Sequence, residues 1–360
     1  MLFDPSPKET RRDLFDREEE INKILQRVNF PITLVLGLRR TGKSSIVKVI
    51  MNENRENALW LYLDLRKFET REYLTYKDIV IELEKAFNSL PKWVKDFIKG
   101  LRGISVSGVE VRFNWSGEEK IELSQLFDRL SELGERNGKK VIIVFDESQE
   151  LRKLKGYNIL NPIAYSFDNL KFLRFIFTGS QIGMVYRFLK LKDPESPLFG
   201  RAMTEVVINP FDREKSIEFL RRGFEENNIS VKDEILEEVY ENVGGIPGWL
   251  TYYGFNFITE RDHKKALKKT IEMGVSSIKE EFDNFLIGRE GGKERYYEIM
   301  KVCKKGCRWR DVKTAIEVAE GRKVDDKRVT ELIENLVDAS FLKKTDDIYE
   351  PTDPLIAQVF

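Results

Sequence analysis

The sequence predicts an α/β fold: a P-loop parallel sheet sandwiched by helices, followed by a helical lid and a C-terminal winged helix. Three observations carry this. Five short apolar runs, Ile32–Leu36 and residues 58–65, 141–145, 172–178 and 204–208, are separated by helical stretches. A strand buried on both faces reads as such a run, and strands alternating with helices imply a parallel, doubly wound sheet. The first run leads directly into Gly37-Leu38-Arg39-Arg40-Thr41-Gly42-Lys43-Ser44, which fills every fixed position of the phosphate-loop pattern G-x-x-x-x-G-K-[ST]. Beyond residue 211 the pattern changes to helix after helix and closes on a two-stranded signal.

In chain order, the stretch opening at Phe15-Asp16-Arg17-Glu18-Glu19-Glu20 predicts a helix start, with Asp16 and Glu19 as an acidic relative of the capping box. After the second strand, residues 76–98 read as helical. Alternation from Ile104 to Trp115 around Ser107-Gly108 then predicts a β-hairpin. Asp212 is placed to cap a helix over 213–226, and Gly244-Gly245 stops a helix over 232–243. Further helices are expected at 249–259 and 264–287, then a linker at Gly288-Arg289-Glu290-Gly291-Gly292. Helices near 293–304, Trp309–Glu320 and 325–340, with strands at 341–344 and 348–350, follow the order of a winged helix. The expected domains are a nucleotide-binding domain over 1–211 with an insertion at about 66–120, a helical lid over 212–290 and a winged helix over 291–360.

Composition sets outer bounds. At 41% hydrophobic and 34% charged residues, 360 residues supply a large core and a polar surface. No stretch approaches the ~18 apolar residues of a membrane span. Met-Leu-Phe-Asp-Pro lacks a basic leader and cleavage site, so a cytoplasmic chain is expected. Sixty-one basic and sixty-one acidic residues cancel, so any nucleic-acid surface must be local. Cys303 and Cys307 lie four apart and the single histidine, His263, is distant. That excludes a four-ligand zinc site and predicts two buried or reduced thiols on one helix face. High Lys and Glu content with five Gln resembles hyperthermophile usage.

The chemistry concentrates at strand ends. Gly37 and Gly42 let consecutive N–H groups converge on an anion. Arg39, Arg40, Thr41, Lys43 and Ser45 are the remaining expected phosphate contacts, and the Ser44 hydroxyl is a candidate Mg²⁺ ligand. The third apolar run ends in Asp146-Glu147, about 100 residues after the loop. Asp146 is positioned for the Mg²⁺ shell, and Glu147 for polarising an attacking water, which points to ATP hydrolysis. Thr178-Gly179-Ser180 closes the next strand, where the Ser180 hydroxyl is expected to reach the terminal phosphate or the water. Arg201, before the last strand, is a candidate finger acting in its own site or a neighbour's.

Together with Pro197-Leu198-Phe199-Gly200-Arg201, Gly244-Gly245-Ile246-Pro247-Gly248 and Asp353-Pro354, these motifs resemble the archaeal ATPase family. Its members are AAA+-like P-loop proteins, similar to signal-transduction ATPases with numerous domains and more distantly to archaeal replication initiators. The resemblance implies an adenine pocket near Phe15 and Arg17, closed from the lid by Pro247. The lid motif itself carries no arginine.

The expected recognition helix, 325–340, holds Asp325, Asp326, Glu331, Glu334 and Asp338 against Lys327 and Arg328, a formal charge of −3. A polyanion would be repelled there, while residues 293–310 are basic. Packing or a protein partner is therefore expected ahead of DNA. The functional expectation is slow Mg-ATP hydrolysis driving a conformational or assembly switch. Alternatives are a switch that binds ATP or ADP without turnover, or a DNA-binding regulator.

Overall fold

A computed structural model describes residues 1–360. Its N-terminal part comprises α1 (Glu18–Arg27), β1 (Ile32–Leu36), α2 (Lys43–Glu53), β2 (Ala58–Asp64), α3 (Tyr76–Asn88) and α4 (Lys92–Ile98), then the hairpin β3 (Ile104–Ser107) and β4 (Glu110–Phe113). It continues through α5 (Leu123–Asn137), β5 (Lys140–Asp146), α6 (Leu160–Asn169), β6 (Leu173–Gly179), α7 (Ile182–Leu189) and β7 (Thr204–Val207). Five strands form one parallel sheet in the order β2-β5-β6-β1-β7. β1 sits inside the sheet with every residue buried, so the loop at its carboxyl end is fixed from both sides.

Each face of the sheet has its own apolar layer. Ile21 and Ile24 of α1 with Ile46, Val47, Val49 and Ile50 of α2 cover one face. α3, α5, α6 and the hairpin cover the other. The hairpin is fastened to α3 by a reciprocal pair of hydrogen bonds, Asn88 Nδ2 to Val111 O at 2.9 Å and Val111 N to Asn88 Oδ1 at 2.8 Å.

The second half folds as α8 (Arg213–Glu225), α9 (Asp233–Val243), α10 (Pro247–Glu260) and α11 (His263–Leu286). It is followed by α12 (Lys293–Val302), β8 (Cys307–Arg308), α13 (Trp309–Glu320), α14 (Asp326–Asp338), β9 (Leu342–Thr345), β10 (Ile348–Pro351) and α15 (Ile356–Val359). Asp212 caps α8, accepting from Lys215 N at 2.8 Å, and Asp325 caps α14 in the same way. α12 to β10 make a winged helix whose sheet has the order β8-β10-β9. One apolar cluster of 39 buried residues runs unbroken through α8–α11 and α12–α15.

Three local expectations are corrected. Asp16 is no cap: it takes a left-handed φ of 48° and pairs with Lys215 at 2.6 Å, and α1 starts at Glu18. Residues 76–98 form two helices, because Pro91 lacks the N–H that would continue α3. Cys303 and Cys307 do not lie on one helix as thiols. α12 ends at Val302, Gly306 adopts φ 89°, and the two sulfurs form a disulfide across a Cα–Cα distance of 4.6 Å. Disulfides are rare inside most cells but common in intracellular hyperthermophile proteins. No helix is long and apolar enough to cross a membrane.

Candidate functional site

The phosphate loop is shaped by close approach. A Cβ at position 37 would lie 2.3 Å from Ile208 O, and Gly42 has φ 97°, a value that favours glycine. Gly42 is also the N-cap of α2, so free N–H groups and the positive end of the helix face the loop's cavity. Lys43 is buried, and its Nζ donates to Gly37 O at 2.9 Å and Leu38 O at 2.7 Å. Burial pushes its pKa down, while Glu147 and Asp146 oppose that shift.

Adjacent strand ends supply the acids. Ser44 Oγ donates to Asp146 Oδ2 at 2.9 Å. Asp146 also accepts from Tyr62 and Thr178 and lies 3.6 Å from Arg66. Burial, and then the neighbouring Glu147 charge, raise its pKa. Glu147 stands at φ 55°, an uncommon conformation for a non-glycine residue and one found at functional sites. Its Oε2 accepts from Ser180 Oγ at 2.5 Å and from Gln149 Nε2 at 2.6 Å. Burial alone would raise its pKa. The Lys43 and Arg39 charges and these hydrogen bonds outweigh burial and hold the carboxyl at about 2.

A cleft of about 530 Å³ opens over the loop, within the range of small-molecule sites. Phe15, Arg17, Arg39, Arg40, Thr41, Gly42, Lys43, Ser44, Ser45, Glu147 and Pro247 all line it. Phe15 packs edge-on against Phe211 and Phe219. Arg17 borders the cleft but is buried. Its guanidinium lies over Phe211 at 4.5 Å and donates to Asn209 O at 2.8 Å and Thr41 O at 3.3 Å, bracing the loop. Pro247 is the first residue of α10, where its missing N–H costs nothing.

Two expected residues lie outside the cleft lining. Ser180 donates its hydroxyl to Glu147 at 2.5 Å and so positions that carboxylate. Arg201 lies at the wrong end of the sheet for its own site. β7 runs parallel to β1 with Thr204 beside Thr33, so Arg201 precedes the amino end of the strand, whereas the loop follows the carboxyl end. Its guanidinium forks onto Asp168, at 2.5 and 3.0 Å.

The fold also recruits residues that the sequence left unmarked. Leu2 and residues 4–8 form one wall of the cleft, with Lys8 N donating to Ser45 Oγ at 3.0 Å. The lid grips the loop directly. Gly248 N donates to Arg40 O at 3.0 Å, and a Cβ on Gly248 would meet Arg40 Cβ at 2.6 Å. Glu281 of α11 receives Arg40 at 2.5 Å and Arg39 at 3.4 Å, Arg39 also pairs with Glu69 at 2.6 Å, and Arg40 lies 4.2 Å over the Trp249 ring. Trp249 Nε1 then donates to Asp353 Oδ2 at 2.8 Å, tying the chain's C-terminal motif to the lid. Non-local pairing of this kind leaves no local signal. Only Gly248, in a Gly-x-Pro-Gly turn opening a helix, hinted at close approach.

A buried lysine on a glycine-bounded loop, faced by Ser44–Asp146 and an ionised glutamate under a helical lid, defines a P-loop ATPase site. Residues 14–253 match the family model described as an ATPase domain predominantly from Archaea, and residues 290–352 match that of the MCM protein C-terminal winged helix-turn-helix domain. The chain belongs to this archaeal ATPase family. It is 34% identical to the Walker-type ATPase PABY2304 of Pyrococcus abyssi, whose structure superposes with a TM-score of 0.84 over 100% of this chain and 99% of that one. The uncharacterized ATP-binding protein MJ0632 of Methanocaldococcus jannaschii is 28% identical over 80% of this chain and 83% of its own. The ORC2 protein of Aeropyrum pernix, at 10% identity, 99% and 96% coverage and a TM-score of 0.58, shares the fold.

Proposed function

We propose that the cleft binds Mg-ATP and hydrolyses it slowly, the bound state setting how the lid sits on the phosphate loop. One observation carries this reading: an ionised Glu147, locked by Ser180 and Gln149, beside Lys43 and the Ser44–Asp146 pair. Phosphate binding would draw Lys43 Nζ from the Gly37 and Leu38 carbonyls to the β- and γ-phosphates. The Ser44 and Asp146 oxygens are a hard-donor pair suited to Mg²⁺, which takes its other ligands from phosphate and water. When bound, the ion neutralises charge on the phosphate oxygens. Glu147, held ionised, accepts a hydrogen bond from the attacking water and orients it toward the terminal phosphate. Arg39 and Arg40 link the loop to Glu281, so charge arriving at the loop competes with that lid contact.

Arg201, paired with Asp168 at the opposite end of the sheet, takes no part in its own site in this reading. The test is calorimetric titration with ATP, with and without Mg²⁺, of the protein and of Lys43→Ala. Expected are saturable binding that weakens when Mg²⁺ is chelated, and at least ~100-fold loss in the variant, the equivalent of about 2.7 kcal/mol. Equal affinity in both proteins would overturn the reading.

A further inference from the structure

Between α12 and the first turn of α13 the chain reads Cys303-Lys304-Lys305-Gly306-Cys307-Arg308-Trp309-Arg310, four cations and no carboxylate. The Cys303–Cys307 disulfide ties its first five residues into a ring, and both ring lysines are exposed. Strand pairing sets Arg308 beside Ile348 and Cys307 beside Tyr349, and Tyr349 faces Lys344 across the hairpin. Ile348 also packs close to the ring, where a Cβ built on Gly306 would come within 3.2 Å of its Cγ2. Lys304, Lys305, Arg308, Arg310 and Lys344 thus gather along one rim of the winged helix, all exposed.

None of these five forms an ion pair, although Arg295, Lys301, Lys313 and Lys343 around them all do. The adjacent Asp311 is occupied, accepting from Arg308 N at 2.8 Å, and Asp346 and Asp347 form the turn of the hairpin. Crowded, unneutralised cations in a chain of zero net charge suit a polyanion, whose condensed counterions are released on contact. The C-terminal end of the usual reading element is meanwhile occupied. Asn335 of α14 binds Arg187 of α7 at 2.7 Å, Asp338 pairs with the same arginine, and Ile182 N donates to Ser340 Oγ at 3.2 Å. What α14 leaves exposed includes Asp325, Asp326, Glu331 and Glu334.

We infer that this rim binds the phosphodiester backbone of duplex nucleic acid, without α14 entering a groove and therefore without base readout. The inference does not depend on ATP turnover.

Anisotropy of a labelled random-sequence duplex, titrated with the full chain at increasing salt, tests it. The protein is expected to bind at about 50 mM salt, with affinity falling linearly in log–log form. Lys304→Ala/Lys305→Ala/Arg308→Ala is expected to lose roughly 10-fold or more at about 100 mM salt and to flatten the slope by about 2 to 3, near 0.9 per phosphate contact removed. Its melting temperature is expected to match the parent's, since these side chains are exposed and unpaired. Lys327→Ala on α14 is expected to bind as the parent does. The inference is overturned by no binding at low salt, by a rim variant that binds like the parent, or by a larger loss in the α14 variant. Retention on immobilised poly-glutamate without duplex binding would assign the rim to an acidic protein surface, and overturns it equally.

Discussion

Glu147 carries a negative charge where burial opposes one, and the opposition is met by two cations and two hydrogen-bond donors. That balance has a pH signature. A carboxylate whose folded pKa of about 2 lies below its ordinary 4.5 stabilises the fold fully above the ordinary value. The contribution then fades as pH falls through the folded one. Glu147→Gln removes it, at a cost on the order of 3 kcal/mol, since each pKa unit is worth 1.36 kcal/mol. Denaturant titrations are expected to show the variant less stable near pH 6, with the gap narrowing toward pH 3. A gap independent of pH would contradict the assignment. Asp146 works in the opposite sense, because its raised pKa favours the protonated fold, so the parent's own curve shows only the difference of the two.

At the scale of elements, the contact between lid and loop is tight enough to break with one methyl group. Gly248→Ala drives a Cβ into Arg40 and strains the Gly248–Arg40 hydrogen bond. Bound nucleotide is expected to dissociate roughly tenfold faster, the equivalent of about 1.4 kcal/mol, as read by stopped-flow release of a fluorescent analogue. An unchanged rate would show that the lid does not hold the nucleotide. The disulfide closes a very short ring, so Cys303→Ser/Cys307→Ser is expected to cost no more than about 2 kcal/mol on the chain-entropy account. Alkylation of the native protein followed by mass measurement checks that both thiols are blocked. The strands were legible because buried parallel strands are unbroken apolar runs, and β1 has the predicted bounds. The phosphate loop and Asp146-Glu147 were legible because their chemistry is contiguous. The start of α1, the break at Pro91 and the disulfide depart from the sequence expectation. In the first and last cases the spacing reads as helical where the backbone lies outside the helix, before Glu18 and after Val302. The Ser180 bond to Glu147 was not legible, since a hydroxyl at a strand end reveals its position and not its hydrogen bond.

Across the whole molecule, the lid and winged helix share one apolar cluster separate from both layers of the sheet. Hydrogen bonds tie this unit together from Trp249 to Asp353 and, through α14, join it to α7 beside the Glu147 shell. None of this was legible in the sequence, because each contact joins residues more than a hundred positions apart. The measurement that bears most directly on the central claim is single-turnover cleavage of γ-labelled ATP by the parent and Glu147→Gln under saturating Mg²⁺. The account predicts that the variant keeps ATP bound and releases phosphate on the order of a hundredfold more slowly, a loss of about 2.7 kcal/mol in transition-state stabilisation. Equal rates of phosphate release from the two proteins would contradict it.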